Sequence, residues 1–159
     1  GRFEWGPRSL GARSIIADPR RKEMKNIVNT KIKFREPFRP FAPSILSEKV
    51  NEYFELEDDD YLTEQFMLRV AKIKENMRAK IPSVDHFGTG RLQSVKKISS
   101  PKYYNLINAF YELTGVPVIM NTSFNVRGEP IVNTPQEAID TFLKTDIDVL
   151  VCENYIIKK

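Results

Sequence analysis

The 159-residue chain holds one cysteine, one histidine and one tryptophan, and these scarcities narrow its chemistry at once. A lone Cys152 excludes an internal disulfide and suits a reducing compartment. One His and one Cys do not make a Cys/His zinc site, and a Ser-His-Asp or Cys-His mechanism would rest wholly on His86. No apolar run approaches the roughly 20 residues of a membrane span. The opening Gly-Arg-Phe-Glu-Trp has neither an initiator Met nor the apolar stretch of a secretory signal. A cytoplasmic location, and origin as a piece of a longer protein, are the resulting expectations.

What is present supports a folded core. Apolar residues make up 41% and aromatics 11% of the chain, and a single domain of this length buries roughly 70% of its unfolded surface. The net charge of +4 conceals an asymmetry. Residues 1–40 carry eleven Lys/Arg against four Asp/Glu, a balance of +7, whereas residues 41–159 carry 14 against 17. A localised basic field favours anionic partners such as nucleotides, phosphates, nucleic acid or acidic lipid.

Periodicity and breakers predict a mixed α/β fold. Helices are expected over Arg8–Ser14, Arg21–Thr30, Ser47–Phe54 (with Ser47 as N-cap) and Glu75–Lys80. Pro101–Thr114 is the clearest helix, with Tyr103, Ile107, Phe110 and Tyr111 on one stripe and Gly115 closing it. A capping box of Thr134 and Glu137 opens another to Lys144. Strands are expected over Lys31–Phe41, Glu64–Val70, Arg91–Val95, Val116–Met120, Asp148–Cys152 and Tyr155–Ile157. The acidic tract Glu55–Asp60 reads as a solvated loop, because consecutive carboxylates diverge rather than converge on one ion.

Two segments are rich in chemistry-bearing residues. If Lys31–Phe41 is extended, alternation sends Lys31, Lys33, Arg35 and Arg39 to one side and Ile32, Phe34 and Phe38 to the other. Stacked cations repel, so an anion shared between them is the functional reading; a charged edge strand that resists aggregation is the bland one. The second segment, Asn121–Pro130, follows a buried strand and carries Asn121, Thr122, Ser123, Asn125 and Arg127, where open α/β sheets bind ligands. Asx and Ser/Thr turns that only shape a loop would give the same composition. Arg8 and Arg13 add charge near the start. Gly6 and Gly11 have phosphate-loop spacing, but the Lys-Ser/Thr that should follow is absent, which rejects a Walker motif. Arg91 is a better ligand candidate than His86, which reads as structural, and Cys152 reads as core.

Gly1–Gly11, Arg13-Ser14-Ile15, Ala17–Arg20, Lys33–Pro43 and Asn121–Val132 together resemble the C-terminal domain of the nodulation-type and antibiotic-biosynthesis O-carbamoyltransferases. The resemblance spans the chain. That domain is similar to the YrdC-type fold, a twisted mixed α/β sheet with flanking helices, here expected to be N-terminally truncated. Lys33-x-Arg35 and Ser123-x-Asn125 with Gly128-x-Pro130 match patterns of that fold. His86–Arg91 is one residue shorter than the usual His-x-Asp-Gly-Thr-x-Arg and lacks its Asp, and position 12 is Ala where Asn is common.

The resemblance implies that this half makes carbamoyl-adenylate and pyrophosphate from carbamoyl phosphate and ATP, with Mg²⁺ accompanying the ATP. A separate N-terminal domain of actin-like fold would pass the carbamoyl group to a hydroxyl acceptor, so the piece alone is expected to be inactive. The anion wall would comprise Lys33, Arg35 and Arg39, joined by Arg8, Arg13, Arg91 and Arg127. Asn121, Ser123 and Asn125 would bind the nucleotide. An RNA-binding module is the alternative class, and a remnant that only docks on the transferase domain is a third. On the expected strand the aromatics face away from the cations, which disfavours base stacking and nucleic acid as a partner.

Overall fold

The computed structural model describes residues 8–56 and 61–159; the expectations for residues 1–7 and for acidic positions 57–60 lie outside the described residues. Short elements alternate along the chain. Strand β1 (Ser14–Ala17) precedes helix α1 (Met24–Ile27), which runs into a π-helical turn (Val28–Ile32). Strand β2 (Ala42–Leu46) leads through a 3₁₀ turn to α2 (Val50–Tyr53) and β3 (Phe54–Glu55). Then come α3 (Tyr61–Gln65), β4 (Val70–Ile73), α4 (Glu75–Arg78), β5 (Thr89–Arg91) and β6 (Gln93–Val95). The long helix α5 (Pro101–Thr114), strand β7 (Val118–Ser123), helix α6 (Pro135–Lys144) and the hairpin β8 (Val149–Cys152) and β9 (Tyr155–Lys158) complete it.

The main sheet has the order β1-β7-β2-β6, with β2 and β6 parallel and the other pairs antiparallel. This is the mixed α/β architecture expected. Its middle strands are covered on both faces, which alternation makes visible. Ile45, Val118 and Met120 enter the larger core, while Leu46 and Ile119 point the opposite way toward Tyr103 and Ile107 of α5. Each side chain so buried contributes about 1.5–3 kcal/mol. Behind the larger core lie the small sheet β3-β4-β5 and helix α6, which supply Phe54, Ala71, Ile73, Ala138 and Phe142. Among the described residues no helix is long and apolar enough to cross a membrane.

The α5 helix, its left-handed Gly115 stop and the Thr134–Glu137 capping box stand where expected, as does the terminal hairpin. Cys152 is half-buried rather than core. Other expectations fail for identifiable reasons. Arg8–Ser14 is not helical: the Ser9 and Leu10 carbonyls accept from the Asn121 and Gln93 side chains. Ser47 lies inside the 3₁₀ turn and caps nothing. Glu64–Val70 is a helix end and a turn, with Met67 at φ 55° and Leu68 N–H bonded back to Thr63. The strand starts only at Val70, where burial begins to alternate. Arg91–Val95 breaks at Leu92 into strands of two different sheets.

The largest correction concerns Lys31–Phe41. It is no strand: Lys31 and Ile32 close the π-helical turn, and Phe34 takes φ 49°. Lys33 is buried at 4% exposure, while Phe34 and Phe38 are 48% and 71% exposed. The expected facing is therefore inverted at its centre.

Gly11 fixes how the first described segment meets the sheet. Its φ is +116°, and an added Cβ would lie 2.3 Å from the buried Tyr103 ring. Gly11→Ala is expected to destabilise the fold by about 1–3 kcal/mol through backbone strain and overpacking, read as a lowered urea midpoint.

Candidate anion-binding site

Strand β7 turns polar at its carboxyl end, and there a cleft of about 110 Å³ opens. Asn121, Thr122 and Ser123 form one wall; Arg8 and Ser9 approach from the first described segment, and Arg35 with Pro40 and Phe41 from the loop before β2. Arg91 enters from β5 and Met67 from the turn before β4. Three guanidinium groups thus face a space with no acidic side chain among its described lining residues.

Nearby cations disfavour one another's charge. Burial depresses the Arg91 pKa and Arg8 adds to the effect; burial and then Arg39 do the same to Arg35, against the opposing pull of Glu36. Arginine keeps its proton regardless, so the repulsion persists. The buried Arg91 Nε has no hydrogen-bond partner among the described residues. Arg35 is better supported: its Nε donates to Asn29 Oδ1 at 2.7 Å and its guanidinium sits 5.0 Å from the Phe41 ring centroid.

Lys33 lies beneath this wall rather than on it. Its Nζ donates to Asn125 O and Asn125 Oδ1 at 2.6 Å each and to Ser123 O at 2.8 Å, with Ser123 Oγ at 3.3 Å. Ser123 Oγ donates to Asn125 Oδ1 at 2.7 Å, and Asn125 Nδ2 to Glu129 O at 2.7 Å. The lysine therefore locks the loop after β7 to the loop before β2. Burial, helped by Arg35, pushes its pKa from 10.5 down to about 7.

A second polar lattice underlies the cleft floor. Ser44 Oγ donates to Gln93 Oε1 at 2.6 Å, and Asn121 Nδ2 reaches Gln93 Oε1 at 2.9 Å, Ser44 Oγ at 3.2 Å and Ser9 O at 3.2 Å. Gln93 Nε2 holds Leu10 O at 2.8 Å. All three side chains are buried, so the lattice pins residues 9–10, and with them Arg8, across three strands.

The structure thus brings Arg8, Arg35, Arg91, Asn121 and Ser123 to one cleft and places Lys33 and Asn125 directly behind it. Arg39 is exposed and paired with Glu36 at 3.0 Å; Arg127, more exposed, is 4.0 Å from the same Glu36. Arg13 donates to Val132 O at 3.3 Å. Asn29, Ser44 and Gln93 organise the site without having been singled out for that role. The legible signal was polar residues placed inside buried strands such as Ala-Pro-Ser-Ile-Leu. His86 sits in a turn closed by Thr89 Oγ1 on the His86 carbonyl. Among the described residues no three His, Cys, Asp or Glu side chains could hold a metal ion.

Between about pH 7 and 10.5 the unfolded chain holds a proton on Lys33 that the folded chain gives up. Stability owed to this residue therefore rises as pH increases through that window and is flat below it. Wild type is expected to gain stability relative to Lys33→Met between pH 7 and pH 9 in urea titrations. Parallel pH dependences would show that the residue does not titrate differently on folding.

The whole chain, residues 1–159, matches the family described as Carbamoyltransferase C-terminus. It is 48% identical over 161 residues to nodulation protein NolNO of Sinorhizobium fredii and 48% identical over 164 residues to nodulation protein NolO of Bradyrhizobium diazoefficiens. It is 44% identical over 180 residues to the uncharacterized protein sll1178 of Synechocystis. Each match covers 100% of this chain but only 23%, 29% and 29% of those proteins respectively, so the chain spans less than a third of their length. The chain belongs to the family of carbamoyltransferase C-terminal domains.

Proposed function

We propose that this domain is the adenylating half of an O-carbamoyltransferase, with a YrdC-like fold, and that carbamoyl phosphate and ATP react in the arginine-lined cleft. The observation that carries this reading is the convergence of Arg8, Arg35 and Arg91 on a space with no carboxylate among its described lining residues. Water releases inorganic phosphate from carbamoyl phosphate and leaves carbamate. A carbamate oxygen then attacks the α-phosphorus of ATP, the bond to the bridging oxygen breaks, and pyrophosphate departs. Two unit charges at 4 Å repel by about 4 kcal/mol at an effective dielectric near 20, and carbamate meets a polyanion. Fixed guanidinium donors offset that repulsion and stabilise the charge that builds on the departing oxygens. Mg²⁺ would arrive with ATP. The carbamoyl-adenylate would pass to an N-terminal actin-like domain, which moves the carbamoyl group to a hydroxyl acceptor.

The test is carbamoyl-phosphate-dependent exchange of labelled pyrophosphate into ATP by the intact protein. Each charge-assisted hydrogen bond is worth roughly 1.5–3 kcal/mol, so Arg35→Ala and Arg91→Ala are each expected to slow exchange about 10–100-fold. Exchange that ignores carbamoyl phosphate, or survives both substitutions, would sink the assignment.

One observation favours a second reading, an RNA-binding module. Phe34 and Phe38 are exposed on the same loop as Arg35 and Arg39, so the facing that disfavoured base stacking does not exist. This reading expects salt-steep binding to single-stranded RNA and no exchange.

A further inference from the structure

Asn29 makes full use of its amide in the middle of the π-helical turn, a type of distortion frequent at functional sites. It is completely buried. Its Nδ2 donates to Pro37 O at 3.1 Å and to Arg39 O at 3.0 Å, and its Oδ1 accepts from Arg35 Nε at 2.7 Å. Its backbone carbonyl accepts from the Arg35 N–H at 2.9 Å. One side chain thus closes the 33–41 loop and grips the arginine that the loop presents to the cleft.

We infer that Asn29 is the positioning residue for Arg35, holding its guanidinium by Nε so that the terminal Nη groups face an anionic ligand. The inference rests on the cleft being the anion seat proposed above. The chemistry favours an amide over the alternatives. A carboxylate at this position would grip Arg35 as well, but it would cancel the charge the ligand needs and could not donate to Pro37 and Arg39. An apolar residue would strip the Pro37 and Arg39 carbonyls and the Arg35 Nε of the partners they have here. The amide supplies an acceptor of zero net charge, so the cation is fixed without being neutralised. Phe41 completes the mount as an apolar surface beside the guanidinium.

A double-mutant cycle on the intact protein separates this role from general loosening, with ATP affinity read by calorimetry. Asn29→Ala and Arg35→Ala are each expected to weaken ATP about tenfold or more. The double variant should bind within about twofold of Arg35→Ala alone, since a mount has no effect without the group it carries. Independent, additive losses would overturn the positioning role. Should Asn29→Ala not fold, Asn29→Asp keeps the side-chain shape and is expected to weaken ATP at least as strongly; wild-type affinity in that variant would equally overturn it. If Arg35→Ala itself leaves ATP binding intact, the anion-seat reading fails and the inference falls with it. If Arg35→Ala weakens binding but the Asn29 variants do not, the positioning role alone is lost.

Discussion

The site depends on one buried lysine. Removing a lysine head group from water costs several kcal/mol, about the effective penalty of any buried ion, and the depressed Lys33 pKa records that cost. Its Nζ lies 2.6–2.8 Å from three oxygens, belonging to Ser123 and Asn125. The tie joins segments 90 residues apart in sequence. It also determines what stands next to it. Arg35 follows Lys33 by two residues across the left-handed Phe34, and Ser123 is both an anchor of the lysine and a wall of the cleft. The two walls of the cleft are therefore fixed to each other by a group that does not line it.

Above that anchor, the cleft is electrostatically unfinished. Burial and Arg8 disfavour the charge of Arg91, and burial and Arg39 that of Arg35 against the pull of Glu36, while no described lining residue is a carboxylate. Such an arrangement lowers stability locally and persists because surrounding structure holds it in place. Two devices do the holding. The Ser44–Gln93–Asn121 lattice secures the backbone beside Arg8, and Asn29 with Phe41 secures Arg35. Both use neutral amides and hydroxyls, which immobilise a cationic segment without reducing its field. Guanidinium groups suit the task better than ammonium groups because their planar donors match phosphate and carboxylate oxygens in pairs.

Local signals made the helices α5 and α6 readable: a stripe of aromatic and aliphatic residues, a proline at the first turn, a left-handed glycine and a capping box act within a few residues. The 31–41 segment was not readable in that way. Its prolines exclude a helix interior, and an extended strand is the simplest remaining expectation. What decides the matter is nonlocal: Lys33 reaching Ser123 and Asn125, and Asn29 folding the loop back on Pro37 and Arg39. Alternation then assigned Lys33 and Phe38 to the wrong sides. The residue types nevertheless marked two segments that meet at one cleft, because a cation-rich motif and a polar turn after an apolar strand remain visible whatever backbone joins them. Ser44 and Gln93 were less conspicuous, since a single polar residue in a strand usually faces solvent, and only the pairing of β2, β6 and β7 shows that these do not.

The basic excess of the first forty residues takes on a different meaning once its charges are located. Arg20 is paired with Asp18 at 2.6 Å, Arg21 with Glu23 at 2.8 Å and Arg39 with Glu36 at 3.0 Å. These exposed pairs add little to stability, and their acids are already counted in the +7 balance, so the basic excess rests on the other cations. Lys33 is enclosed by oxygens. Lys22 and Lys31 stay exposed and Lys25 half-buried, while Arg8 and Arg35 meet Arg91, an arginine contributed from outside the segment, at the cleft. Exposed lysines attract any polyanion, whereas a small arginine-lined cleft has room only for a compact charge. The cleft therefore differs from the rest of the basic segment not in how much charge it holds but in having three arginines and, among the described lining residues, no acid beside them.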